Sequence, residues 1–307
     1  MSQPVVFEPG GYARHQGQAV SERERLQAIT LLFASMLLRG WRAKLRLVSF
    51  FMPALGFAIY AYVRTALAQF ALPPAEHGQF LLDNLQWIFV LNTVQLLIAA
   101  AAQTAPLLAR DAHAGALLLY FSRPLLRPQY LLARWLSTAG LATLQLAGPA
   151  LLYLVCHAAT LGVAVRGTAL GDGLALAVLP LTALLVVIAS AAMAGASSLV
   201  ALGCGTITRA PATAPLLFGG SILASMAGAF VLELAVSTAG WPKAVNLYRA
   251  LQGPIRGGLA LLRPAGAASV AWWESLLGIG VWGGLAFGAW LLLQRFLANP
   301  PLGKGRA

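Results

Sequence analysis

The sequence predicts an all-α, polytopic membrane protein with six transmembrane helices, and three observations support this fold class. Of the 307 residues, 59% are hydrophobic and only 10% are charged, whereas soluble domains are about 25% charged. Apolar runs of about 20 residues recur along the chain, and each is long enough to cross roughly 30 Å of hydrocarbon. The short alternating segments of a membrane β-barrel are absent from the sequence.

Residues 1–46 are predicted to form a polar cytoplasmic tail followed by an amphipathic helix in the membrane interface. The first 20 residues lack the apolar core of a cleavable signal peptide. Ser21 is predicted to cap a helix, with Glu24 as its reciprocal partner. The apolar segment Leu26–Leu38 is too short to cross a bilayer, and it runs into the basic, Trp-bearing segment 39–46. This composition is typical of an interfacial helix.

Six spans are predicted within residues 47–297, and basic residues predict their orientation. Of the 21 Lys and Arg residues, 15 fall on the cytoplasmic side if both termini, including the tail 298–307, are cytoplasmic. The expected location is the inner membrane, with both termini in the cytoplasm. The predicted spans are Leu47–Ala68, Leu85–Leu108, Leu136–Val163, Leu174–Leu202, Ala214–Val236 and Leu276–Leu297.

Two further features belong to the predicted membrane domain. The region 237–275, between the last two spans, carries three Trp residues and four basic residues. Within it, Val245–Leu262 is predicted to form one or two amphipathic helices in the outer leaflet. The fifth span has Gly220, Ala224 and Gly228 at four-residue spacing, which predicts a small-residue packing face.

Composition and motifs exclude several classes of function. The net charge of +12 comes from residues flanking apolar runs, which favours contact with anionic headgroups over nucleic acid. The two cysteines and four histidines have no metal-ligand spacing, and no catalytic motif or phosphate-binding loop appears. Glu233 is the only carboxylate placed in a span, near its outer end. Transport by this chain would therefore need energy from a partner.

A polar stripe on the second span has two interpretations. Asn92, Gln95 and Gln103 step along one helical face and are the candidate substrate path. The alternative is interhelical hydrogen bonding, because amides commonly hold membrane helices together.

The segment Arg110–Arg134, between the second and third spans, is too polar at both ends to cross a bilayer. It contains four arginines and two prolines spaced to break a helix. Ala112–Phe121 is predicted to form a short helix that ends at Ser122-Arg123-Pro124, and Leu125–Trp135 then restarts toward the third span. The segment is expected either to dock a partner or to anchor on lipid headgroups.

The residues of this segment resemble the cytoplasmic coupling segment of the permease subunits of type-2 ABC transporters. The matching pattern, in order along the chain, begins with an acidic residue, a Gly and an apolar helix. It continues with Ser-Arg-Pro, a second Arg, a Tyr and two Leu residues that lead into a span. Two positions depart from the family pattern: Gln129 stands where an acid often precedes the Tyr, and Arg134 replaces the usual Lys. The matching residues are Asp111, Gly115, Leu117–Leu119, Ser122, Arg123, Pro124, Arg127, Tyr130, Leu131 and Leu132.

The resemblance implies a cytoplasmic coupling helix that meets a separate ATP-binding subunit, which would hold ATP and Mg. This chain would then bind no cofactor or metal itself, would have no catalytic residues, and would pair with a second permease protomer in the lipid membrane. The alternative is a membrane-embedded enzyme or scaffold not coupled to an ATPase. The implied partner-binding residues are Arg110, Asp111, Gly115, Ser122, Arg123, Pro124, Arg127 and Tyr130.

Overall fold

The computed structural model describes residues 21–68, 74–121, 126–157, 171–208, 210–235, 246–261 and 272–298. Within these ranges the protein is helical and contains no β-strand. Six helical runs are long and apolar enough to cross a membrane, which confirms the predicted fold class. They are Ala43–Arg64, Phe80–His113, Arg127–Cys156, Leu179–Thr208, Ala214–Leu234 and Ser275–Ala298.

The first helix, α1 (Glu22–Leu38), begins with the predicted capping box. The Glu24 N–H donates to Ser21 Oγ at 3.3 Å, and the Ser21 N–H donates to the Glu24 carboxylate at 3.0 Å. Hydrogen bonds to the Glu24 carboxylate from the Ser21 hydroxyl, at 2.8 Å, and from the Ser21 N–H hold the pKa of Glu24 below its usual value. Gly40 then turns the chain with φ of 107°, a conformation that favours glycine.

Except in the fifth span, the helices of the bundle extend beyond the predicted spans at one end or both. The helix of the third span nevertheless ends at Cys156, short of the predicted Val163. Hydropathy identifies the part of a helix that matches the hydrocarbon, whereas the backbone hydrogen bonds continue into the interface. The second span consists of α3, a π-helical turn and α4 in succession. After α1, the elements are α2 (Trp41–Ala68), α3 (Pro74–Ala99), the π turn (Ala100–Thr104), α4 (Leu107–His113), α5 (Ala116–Phe121), α6 (Arg127–Cys156), α7 (Gly171–Thr208), α8 (Ala214–Ala235), α9 (Leu247–Leu251), α10 (Gly253–Leu261) and α11 (Trp272–Ala298).

Helix α7 lies at the centre of the bundle and packs against α4, α6, α8, α10 and α11. Small residues allow the close contacts. The Trp135 indole of α6 donates to the Gly195 carbonyl of α7 at 3.0 Å. A Cβ on Gly203 would lie only 2.9 Å from the Cβ of Ala289 on α11. The helices that form spans three, four and six are therefore held together along α7.

The short helices α9 and α10 follow each other between α8 and α11, in the region predicted to form one or two amphipathic helices. The Tyr248 hydroxyl donates to the Val90 carbonyl of α3 at 2.9 Å, and the Trp282 indole donates to the Leu247 carbonyl at 2.8 Å. A Cβ on Gly278 would lie 2.6 Å from the Ala250 carbonyl oxygen. The two short helices therefore pack into the bundle of spans.

The predicted small-residue face of the fifth span is not used for packing within the described chain. Gly220, Ala224 and Gly228 are all exposed on α8. A Cβ on Gly220 or Gly228 would meet no other atom within 4 Å.

Candidate functional site

The segment 110–134 spans the end of α4, α5 and the beginning of α6, and we call its end of the bundle the basal end. The prediction of one helix over Ala112–Phe121 is wrong. Helix α4 ends at His113 and α5 begins at Ala116, because Gly115 between them has φ of 67°. A Cβ on Gly115 would have no other atom within 4 Å. Glycine is therefore favoured here by the positive φ of the turn, and not by close packing against another element. The predicted break at Ser122-Arg123-Pro124 lies outside the described residues.

Asp111 forms the polar centre of this region. Its carboxylate accepts a hydrogen bond from the Tyr130 hydroxyl and an ion-paired hydrogen bond from Arg134 Nη2 at 2.5 Å. Only 15% of the Asp111 side chain and 5% of the Arg134 side chain are exposed. Asp111 lies on α4, whereas its two partners lie one turn apart on α6. The carboxylate therefore fastens the end of the second span to the beginning of the third.

Aromatic side chains enclose the ion pair. The ring of Phe33, from α1, stacks against Arg134 with the guanidinium carbon 3.7 Å from the ring centroid. The same ring meets Tyr120 and Tyr130 edge-on at centroid distances of 5.9 and 5.8 Å. Tyr120 also packs against Tyr130 at 5.3 Å. Cation–π and edge-on contacts thus attach α1 and α5 to the same point on α6.

A small apolar core surrounds these groups, separate from the main core of the bundle. We call it the basal cluster, and it joins residues of α1, α4, α5, α6, α7 and α11. Its members are almost completely shielded from solvent, so the basal end has its own hydrophobic stabilisation. The buried members are Phe33, Leu108, Leu117, Tyr130, Leu131, Ala133, Leu202, Leu293 and Leu297.

Arg127 joins the segment to the last span. Its guanidinium Nη1 donates to the carbonyl oxygens of Leu297 and Ala298 at 2.7 and 3.1 Å. These carbonyls end α11, where the helix has no further backbone N–H to offer. A cation is favourable there because it also opposes the negative end of the helix dipole.

Neither a family model nor a curated protein matches this sequence.

Of the predicted partner-binding residues, Ser122, Arg123 and Pro124 lie outside the described residues, and the others differ in their exposure. Arg110 is exposed in the last turn of α4, and Gly115 is half-buried in the turn that follows. Asp111 and Tyr130 face inward and are bound within the chain. Arg110 is therefore accessible at the surface, whereas Asp111 and Tyr130 hold the segment in place.

The candidate substrate-path residues have three different environments. Asn92 is fully buried, and its amide has no hydrogen-bond partner among the described residues. Gln95 accepts a hydrogen bond from Ser49 of α2 at 3.4 Å, which is the interhelical contact of the alternative interpretation. Gln103 lies in the π turn, whose wider winding rotates it away from the regular stripe.

Sequence reasoning did not include Phe33, Tyr120 or Arg134 among the site residues. Phe33 lies in an apolar run, and nothing in the sequence distinguishes it from the neighbouring apolar residues. Its contact with the Arg134 guanidinium could therefore not be predicted. Arg134 did carry a signal, since a basic residue four positions after Tyr130 lies on the same helical face. Within the described residues, no group of His, Cys, Asp and Glu side chains could hold a metal ion.

Proposed function

We propose that this chain is the membrane permease subunit of an ABC transporter in the inner membrane, with both termini in the cytoplasm. A separate ATP-binding subunit would supply ATP and Mg, and the segment 110–134 would be the coupling segment that meets it. The protein would act as a dimer of permease protomers and move a substrate that its spans do not identify.

The observation that supports this proposal most strongly is the Asp111–Arg134 ion pair within the basal cluster. A coupling segment must transmit displacement, so it has to move together with the spans it drives. Asp111 joins α4 to α6, Phe33 adds α1, and Arg127 adds the end of α11. A displacement of this segment would therefore move spans two, three and six together.

Helix α1 fits the role of an interfacial helix in this proposal. Phe33 is buried in the basal cluster, whereas Leu31, Leu32 and Met36 are 69, 50 and 47% exposed. Large apolar side chains on an exposed face are suited to lipid acyl chains at the membrane boundary. Helix α1 would thereby keep the basal end at the level of the headgroups.

The proposal is tested by searching the neighbouring reading frames for a P-loop ATPase and measuring whether that ATPase co-purifies with this protein. Arg123→Glu and Arg110→Glu place a negative charge on the proposed docking surface. If that surface pairs with carboxylates of the ATPase, each change should weaken binding by about 2–5 kcal/mol. Binding is measured as the fraction of ATPase retained on the immobilised permease in membranes solubilised in mild detergent.

Arg295→Glu is the matched control, since Arg295 is an exposed arginine in the last turn of α11 and is not among the predicted docking residues. We expect this variant to retain the ATPase. Equal, small effects from the three substitutions would reject ATPase docking and favour an anchor on lipid headgroups, for which each basic residue contributes only about 1 kcal/mol.

A further inference from the structure

A groove opens on the surface of the basal end, between the beginning of α6 and the end of α11. Its volume is about 220 Å³, whereas a single water molecule needs only about 10–15 Å³, so the groove can take part of a larger molecule. Most of its lining is apolar. The lining residues are Arg127, Pro128 and Leu131 of α6 and Trp290, Gln294, Leu297 and Ala298 of α11.

The groove lies where two spans reach the basal side of the membrane. Arg127 is the first residue of the third span, and Ala298 is the last residue of the sixth. Trp290 precedes Ala298 on the same helix by about 12 Å of helix length. Membrane interfaces favour Trp, because its ring is apolar and its N–H is polar. The groove therefore runs from the level of the headgroups toward the acyl chains.

The charge at the mouth of the groove is positive. Arg127 carries one full charge, and the carbonyl oxygens of Leu297 and Ala298 that accept from its Nη1 are neutral groups. The two helix ends roughly cancel, since the N-terminus of α6 contributes about +0.5 of a charge and the C-terminus of α11 about −0.5. None of the described residues that line the groove is acidic. A negatively charged group therefore complements this end of the groove.

We propose that the groove binds one anionic phospholipid, with its phosphate at Arg127 and the beginning of an acyl chain alongside Leu131 and Trp290. A guanidinium presents a planar fork of donors that matches phosphate oxygens. Basic pockets between spans are suited to anionic headgroups, and the apolar walls suit the chain that a phospholipid attaches to its phosphate. This inference requires only that the protein spans a membrane, and it does not depend on the transport function.

The other occupants fit the groove less well. The residues that follow α11 carry Lys304 and Arg306 and no acidic side chain, so they do not complement Arg127. Free inorganic phosphate would leave the apolar walls exposed to water. A soluble protein domain would approach from the aqueous side, whereas the groove extends into the span as far as Trp290.

Tryptophan fluorescence tests the proposal, because Trp290 lines the groove. The full chain and its Trp290→Phe variant are reconstituted in phosphatidylcholine vesicles that contain dibrominated phosphatidylglycerol or, at the same mole fraction, dibrominated phosphatidylcholine. Bromine quenches a tryptophan that it contacts, so the difference between the two proteins reports the lipid at Trp290. We expect the anionic lipid to bind there about fivefold more tightly, the preference expected from one basic residue.

Two results of this experiment would overturn the proposal. Equal quenching of Trp290 by the two lipids would show ordinary contact with the bilayer. Quenching by neither lipid would show that protein covers the groove, from this chain or from a second copy.

Adjacent positions on α11 provide a matched pair of substitutions. Gln294→Glu places a negative charge in the groove and leaves Arg127 in place, so the preference for the anionic lipid should be lost. Arg295→Gln changes the net charge by the same amount at an exposed neighbour that does not line the groove, and it should keep the preference. Equal losses in both variants would show a general attraction of the basic surface to anionic lipid. That result, or a preference that survives Gln294→Glu, would contradict a site in the groove.

Discussion

Asp111 and Arg134 bring opposite charges into a largely buried setting at the basal end. Removing charges from water is costly, and the pair offsets this cost only because its geometry is tight and other groups assist it. The Tyr130 hydroxyl supplies a second donor to the carboxylate, and the Phe33 ring lies against the guanidinium. The arrangement is therefore sensitive to the loss of either partner.

We expect Asp111→Ala to destabilise the protein by about 3–5 kcal/mol, because it leaves Arg134 buried without its carboxylate. Thermal unfolding in detergent measures this loss. Replacing both partners, as in Asp111→Leu with Arg134→Met, should restore much of the stability, since the site then holds only apolar groups. If the double variant were as unstable as the sum of its parts, the ion pair would not be the source of the effect.

At the scale of residues, the sequence drew attention to Asp111 and Tyr130 but did not predict that they contact each other. Asp111 and Tyr130 were predicted to bind a partner subunit, and that role stays a prediction. Their pairing with each other could not be predicted, because it depends on the turn at Gly115 and on the orientation of α4 against α6. Such long-range geometry leaves no periodic signal in the chain.

At the scale of elements, Phe33 is the contact that attaches α1 to the rest of the molecule. It is 1% exposed, and it touches Tyr120, Tyr130 and Arg134. We expect Phe33→Ala to cost about 3–5 kcal/mol and to release α1 from the basal cluster. Spin labels on α1 would detect the release as increased mobility.

Leu31→Ala is the matched control, because Leu31 lies on the same helix and is 69% exposed. Its substitution should leave α1 attached. Equal mobility of α1 in the two variants would mean that Phe33 does not hold the helix.

The spans were predicted well because hydrocarbon thickness imposes a length that hydropathy can detect. Their basal ends were predicted less well. The second span continues to His113 and the third begins at Arg127, inside the segment predicted to lie between them. Polar residues at these two ends can be helical because Asp111 and Arg134 form an ion pair and Arg127 caps the end of α11. Hydropathy cannot distinguish polar residues in such a helix from polar residues in a loop.

At the scale of the whole molecule, α8 lies at the edge of the bundle with its small-residue face uncovered. Gly220 and Gly228 face open space within the chain. If a second protomer packs there, Gly220→Leu and Gly228→Leu should abolish self-association while the protomer still folds. Light scattering coupled to size-exclusion chromatography in mild detergent measures the mass of the assembly.

Gly219→Leu is the control for this experiment. Gly219 belongs to the same helix and also has no atom within 4 Å of a Cβ, but it points in another direction. This variant should keep the assembly intact. A dimer that persists in all three variants would exclude this face as the contact between protomers.

The bond between Arg127 and the end of α11 has a consequence for biosynthesis. The two residues it joins are 170 positions apart, so the ribosome makes the carbonyl partner long after Arg127 has entered the membrane. At 5–20 residues per second the delay is roughly 10–30 s. A nascent chain therefore holds an unfinished basal end until its final helix is inserted. Chains truncated before Leu297 would never form this bond. Membrane proteases could therefore distinguish them from the full-length protein by their incomplete basal end.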